Sequence, residues 1–148
     1  MNDRYGFLDL NNQLIWNLRD IGHTMRRISE GNGSQKRVLM ILQENGGMTQ
    51  RELTAQLDIQ PGSVSEVIGK LEAGGFLVRN PSETERRTTN ILLTEAGEAA
   101  AREAHAHRRE RHQQMFACLS EEEKGVFLHL LEKLNADWDQ KYRQSEVK

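Results

Sequence analysis

Residues 48–97 read MTQRELTAQLDIQPGSVSEVIGKLEAGGFLVRNPSETERRTTNILLTEAG, and the changes of period within them decide the fold. Thr49-Gln50-Arg51-Glu52 has the form of a capping box: the Thr side chain accepts a backbone N–H and the Glu reaches back to the cap. It opens a short helix with Leu53 and Leu57 inward. A tight connection over 57–62 follows, with Pro61 suited to the first turn of the next helix. Val64, Val67, Ile68 and Leu71 then recur at helical spacing, so that helix buries one face. Gly74 and Gly75 end it, because glycine accepts the left-handed conformation found at helix C-termini. Beyond them, residues 76–80 (FLVRN) and 88–93 (TTNILL) are short β-rich runs, and Thr89, Ile91 and Leu93 alternate as in a strand. The two runs predict a hairpin whose polar loop, 81–87, carries Arg86 and Arg87.

Helices continue on both sides. Leu14, Leu18, Ile21, Met25 and Ile28 follow a 4-3-4-3 spacing, one apolar stripe on a helix that the GNGS of 31–34 terminates. Val38, Ile41 and Leu42 mark a second helix, closed by ENGG at 44–47. Thr94 can cap a long Ala-rich helix. Ser120-Glu121-Glu122-Glu123 forms a second capping box, its acids suited to the positive end of a helix dipole. The helix it opens has Phe127, Leu130, Leu131, Leu134 and Trp138 on its inner face. The expected organisation is an N-terminal helix over 1–33, a segment of short helices and a hairpin over 34–95, and C-terminal helices over 96–148. The fold class is mainly α with a small β-hairpin wing (α+β).

Composition sets the outer bounds. The chain has 148 residues, 36% hydrophobic and 28% charged, which suits a globular helical protein with a charged surface. No stretch reaches the roughly 18 apolar residues of a membrane span. The start, MNDRYGFLDL, carries acids and no apolar core of signal-peptide length, and Cys118 is the single cysteine. A cytoplasmic location without membrane contact is therefore expected. The net charge of −2 means that any nucleic-acid contact rests on where the arginines are placed, not on bulk charge. No G-x-S-x-G, phosphate loop or H-E-x-x-H occurs, which speaks against an enzyme.

Helix, short helix, tight turn, helix and hairpin, in that order, describe a winged helix-turn-helix. The stretch resembles the multiple antibiotic resistance regulator (MarR) family through Leu71-Glu72-x-x-Gly75-Phe76-Leu77-Val78-Arg79, an acid before Arg87 in the wing, and Leu93-Thr94-x-x-Gly97. The flanking helices match that family's dimerisation helices, so the resemblance implies an N-terminal dimerisation helix over 1–33, a winged helix-turn-helix DNA-binding domain over 34–95 and C-terminal dimerisation helices over 96–148. The resemblance implies a homodimer bound to double-stranded DNA at a palindromic operator, acting as a repressor that a small effector or an oxidant relieves. One departure stands out. The family's wing commonly reads D-x-R-D-x-R, whereas residues 82–87 read SETERR. Glu85 and Arg87 fill the second acid and last arginine, while Ser82 and Thr84 replace the first acid and the tip arginine, leaving Arg86 to take the reaching role.

Residues expected at DNA are Lys36, Arg37, Gly62, Ser63, Ser65, Glu66, Lys70, Arg79, Thr84, Arg86 and Arg87, with Glu85 and Arg87 also holding the wing's shape. The bland reading of the helix positions is a solvated face. Glu66 has two readings, acceptor from a cytosine amino group or partner of Ser63 in a capping box. Trp16, His23 and Met25 are candidates for a ligand pocket, set against the plainer role of core and interface. His105 and His112 share a helix face and, with His107, could make a metal half-site; isolated histidines on a charged helix are usually solvated, and neither a metal nor any other cofactor is expected. Cys118 is expected to be buried and inert rather than a redox sensor. The alternatives to a ligand-released repressor are a winged helix used only for protein interaction, and a regulator responding to metal or oxidant through those histidines or Cys118.

Overall fold

The structure, a computed structural model, describes residues 4–31, 33–81 and 89–142. Thr84, Glu85, Arg86 and Arg87, and with them the expected wing tip, lie outside the described residues. The chain forms two compact units, Met1–Ala104 and His105–Lys148.

In the first unit, α1 (Leu10–Ile28) begins at Asp9, whose carboxylate accepts from the Asn12 N–H at 3.2 Å. Its apolar stripe runs as the spacing predicts, yet none of its residues is buried. α2 (Gln35–Asn45) is capped by Ser34 and buries Val38, Leu39, Met40, Ile41 and Leu42. It is followed by β1 (Met48–Thr49) and α3 (Gln50–Leu57), where the capping box forms in both directions between Thr49 and Glu52. The helix-turn-helix turn passes through Asp58, in the left-handed region at φ 52°, and α4 (Pro61–Ala73) starts with Pro61 in its first turn. Leu53, Leu57, Val64, Ile68 and Leu71 have no exposed surface, and each such side chain contributes about 1.5–3 kcal/mol by leaving water. These side chains, the buried face of α2 and Met48, Leu77, Ile91 and Ala101 make the core.

α4 ends at two glycines that do different work: Gly74 stays helical at φ −78°, and only Gly75 takes the left-handed conformation, at φ +80°. β2 (Leu77–Pro81) and β3 (Thr89–Leu93) pair antiparallel with Leu77 opposite Leu93 and Arg79 opposite Ile91. β1 pairs with the other edge of β3, Met48 opposite Ile91, so the predicted hairpin is part of a three-stranded sheet in the order β1-β3-β2.

A tight joint connects this sheet to α5 (Glu95–Met115). The Thr94 N–H donates to the Phe76 carbonyl at 3.1 Å, its hydroxyl donates to the Gly75 carbonyl at 2.6 Å, and the same oxygen accepts from the Gly97 N–H at 3.1 Å. A Cβ on Gly97 would stand 1.9 Å from the Phe76 oxygen, so only glycine lets helix and strand approach this closely. Ala101 and Ala104 are buried on the same helix.

In the second unit, α6 (Glu121–Tyr142) opens with the second capping box: Ser120 Oγ accepts from the Glu123 N–H, and the Glu123 carboxylate accepts from the Ser120 N–H. No residue of α6 is buried. Among the described residues, no helix is long and apolar enough to cross a membrane.

Candidate nucleic-acid interface

With about 100° between successive residues, the buried Val64, Ile68 and Leu71 of α4 put Gly62, Glu66 and Gly69 on its outer line. Ser63 and Lys70 lie on one flank of that line, and Ser65 and Glu72 on the other. All of these outer residues are exposed. The outer line thus carries two glycines and Glu66, with hydrogen-bonding groups on both flanks.

Its charges are engaged with each other. Lys70 Nζ is 2.8 Å from Glu66 Oε1. The hydrogen bond from Lys70, with its charge, holds the Glu66 carboxyl below the ordinary carboxylate range. The capping-box alternative for Glu66 does not form. The helix starts at Pro61 with Gln60 as its cap and no side-chain cap bond, so Ser63 already lies inside the first turn.

Strand parity places Arg79 on the same face of the sheet as Leu77 and Ile91, which is the face toward the core. From there its Nε reaches Glu72 Oε2 at 3.1 Å and its Nη1 reaches Gln50 Oε1 at 3.3 Å. Gln50 Nε2 in turn donates to Ser65 Oγ at 2.7 Å. A line of polar groups thus joins the root of the wing, the start of α3 and the outer flank of α4. Gln50 is the residue that sequence reasoning missed. Its partners are 15 and 29 positions away, and no periodicity reports bonds of that range.

The other expected residues are placed as follows. Lys36 is exposed in the first turn of α2. Arg37 is half-buried beside it, with its N–H held by Ser34 Oγ at 3.1 Å. Arg37 Nε is buried with no hydrogen-bond partner among the described residues. Trp16 stacks on Tyr5 with 5.8 Å between ring centroids, and the Arg19 guanidinium lies over it at 4.6 Å. Tyr5 donates to Asp20 at 2.7 Å, which raises its pKa, so these residues close a polar-aromatic cluster on α1. His23 and Met25 lie on the same helix. The second unit holds a separate concavity of about 400 Å³, lined by His112, Phe116, Lys124, Phe127 and Leu131 among others.

Cys118 is exposed, in the turn between α5 and α6, and not buried. Among the described residues, no three His, Cys, Asp or Glu side chains come together to hold a metal ion.

Residues 32–88 match the family model described as MarR family. A Bacillus subtilis (strain 168) protein named as an uncharacterized HTH-type transcriptional regulator, YwhA, is 31% identical over 97 residues, covering 66% of this chain and 70% of that protein. The chain belongs to the MarR family. Solved structures agree on the fold. A probable transcriptional regulator from Pseudomonas aeruginosa is 25% identical and superposes with a TM-score of 0.62, covering 84% of this chain and 98% of that one. Streptococcus pneumoniae FabT, solved in complex with DNA, is 21% identical with a TM-score of 0.69, over 88% of this chain and 98% of that one. This MarR-family protein is accordingly a DNA-binding transcriptional regulator and not an enzyme. In its Leu93-Thr94-x-x-Gly97 motif, Thr94 ties strand to helix and Gly97 makes room for the Phe76 carbonyl.

Proposed function

We propose that this MarR-family regulator is a cytoplasmic homodimer that represses transcription by binding a palindromic operator, and that a small ligand releases it. The observation that carries the reading is the contrast between a reading helix packed on its own core and two terminal helices whose apolar faces are about half exposed among the described residues. On α1, Leu14 is 54% and Ile21 48% exposed; on α6, Leu130 is 51% and Trp138 41% exposed. Exposed apolar stripes of this kind support an association site, and a second copy of the chain would supply matching helices. Two-fold symmetry then sets the two copies of α4 about 34 Å apart, one turn of DNA, which calls for an operator with the same symmetry. Release by a small ligand draws support from the concavity of about 400 Å³, within the size range of small-molecule sites and lined mainly by apolar side chains.

Footprinting on the DNA flanking the gene, with sedimentation of the protein at micromolar concentration, tests the reading. The expected result is a dimer protecting two half-sites with a common centre of symmetry. A monomer in sedimentation, or protection without symmetry, would overturn it.

A further inference from the structure

The chain from Glu72 through Arg79 and Gln50 to Ser65 has a direction, and that direction says what Ser65 can offer to DNA. A guanidinium has only donors. Bonded to the carboxylate of Glu72 on one side, Arg79 can present only an N–H to Gln50, so the amide must turn its oxygen toward Arg79. Its NH₂ group is then the group that faces Ser65, 2.7 Å away. Ser65 Oγ therefore accepts from Gln50, and its own hydrogen takes no part in that bond. Ser65 is exposed on the flank of α4, next to the outer line of Gly62, Glu66 and Gly69.

We propose that Gln50, oriented by Arg79, is a positioning residue that presets Ser65 as a hydrogen-bond donor toward DNA, so that this position selects acceptor groups. The inference rests on the regulator reading above and adds to it a rule of selectivity. The acceptors available are a phosphate oxygen or, on a base edge in the major groove, purine N7, guanine O6 or thymine O4. The cytosine amino group, a donor, gains nothing from a preset donor. In the free protein the spare hydrogen can rest on water or on the carbonyl four residues back, as serine hydroxyls in helices do.

Gln50→Glu inverts the relay at nearly constant shape. A carboxylate still accepts from Arg79 but can only accept from Ser65, so the serine hydrogen is drawn inward and lone pairs face outward. The negative end suits the first turn of α3, so the fold survives the change. The experiment begins with the full-length protein enriching duplexes from a random-sequence pool. Affinity for an enriched duplex is then measured for wild type, Ser65→Ala, Gln50→Glu and the double variant. The added charge of Gln50→Glu weakens binding in both backgrounds and cancels in the cycle. Ser65→Ala should weaken binding about tenfold in the wild-type background and less than about twofold in the Gln50→Glu background. A second arm locates the acceptor. Methylphosphonate linkages remove single phosphate oxygens and 7-deazapurines remove N7. One such change should weaken wild type while leaving Ser65→Ala unaffected. Equal losses from Ser65→Ala in both backgrounds, no loss at all, or no acceptor change masked by Ser65→Ala would each overturn the inference. Failure of the wild type to enrich any duplex would instead remove the DNA-binding reading beneath it.

Discussion

Leu57 and Leu134 are the same residue on the inner stripes of two amphipathic helices, yet Leu57 has no exposed surface and Leu134 is 39% exposed. The difference is one of supply. Around Leu57, the neighbouring α2, α4 and β3 bring their own apolar faces, and the core closes within one chain. Neither α1 nor α6 buries a residue. An apolar stripe states that a face must be covered but not by what, and only the three-dimensional structure separates a face buried within the chain from one left exposed.

The largest effect should come from the covered side. Leu57→Ala removes a fully buried side chain and leaves a cavity, so it should lower the stability of the first unit by about 2–5 kcal/mol in denaturant titration. That loss should not depend on protein concentration. A cost below about 1 kcal/mol would mean that the core is looser than the contrast requires. On the uncovered side, Leu134→Glu should weaken the proposed dimer by about 2–4 kcal/mol, read as a shift in the sedimentation equilibrium, with the helical signal of the diluted chain retained. If it instead unfolds the diluted chain, α6 is covered from within and the two regions are alike.

Two glycines repeat the contrast on a smaller scale. Gly97→Ala should cost about 1–3 kcal/mol in thermal unfolding although alanine is the better helix former, because the new methyl meets a backbone carbonyl that cannot give way. Gly69→Ala, with nothing among the described residues within 4 Å of the added carbon, should stabilise α4 by about 0.5–1 kcal/mol. A gain from Gly97→Ala, or a loss from Gly69→Ala, would break the parallel.

Local signals in the sequence carried far. Both capping boxes, the proline in the first turn of α4 and the strand through Thr89, Ile91 and Leu93 involve residues within a turn or a pleat of each other, and each forms where its spacing predicts. In β3, however, only Ile91 is buried and Thr89 is exposed. What escaped is non-local or set by a shift of one turn. A strand as short as Met48–Thr49 has no period to recognise and exists because β3 offers an edge. Glu66 pairs with Lys70 rather than with Ser63 because α4 begins one turn earlier than a cap at Ser63 would require. Cys118, a small apolar residue, suggested burial, but the turn that carries it lies at the surface. The relay through Gln50 depends on three elements meeting, which no reading of one stretch at a time can show.

One residue, Thr94, separates the end of β3 from the start of α5. A deletion or duplication there would turn the whole of α5 by roughly 100° about its axis. Ala96 or Glu98 would then be brought against the Phe76 carbonyl where Gly97 now fits, and Ala101 and Ala104 would leave the face they bury. The chain is therefore intolerant of length changes at this point, and related sequences are expected to align through Leu93-Thr94-x-x-Gly97 without a gap.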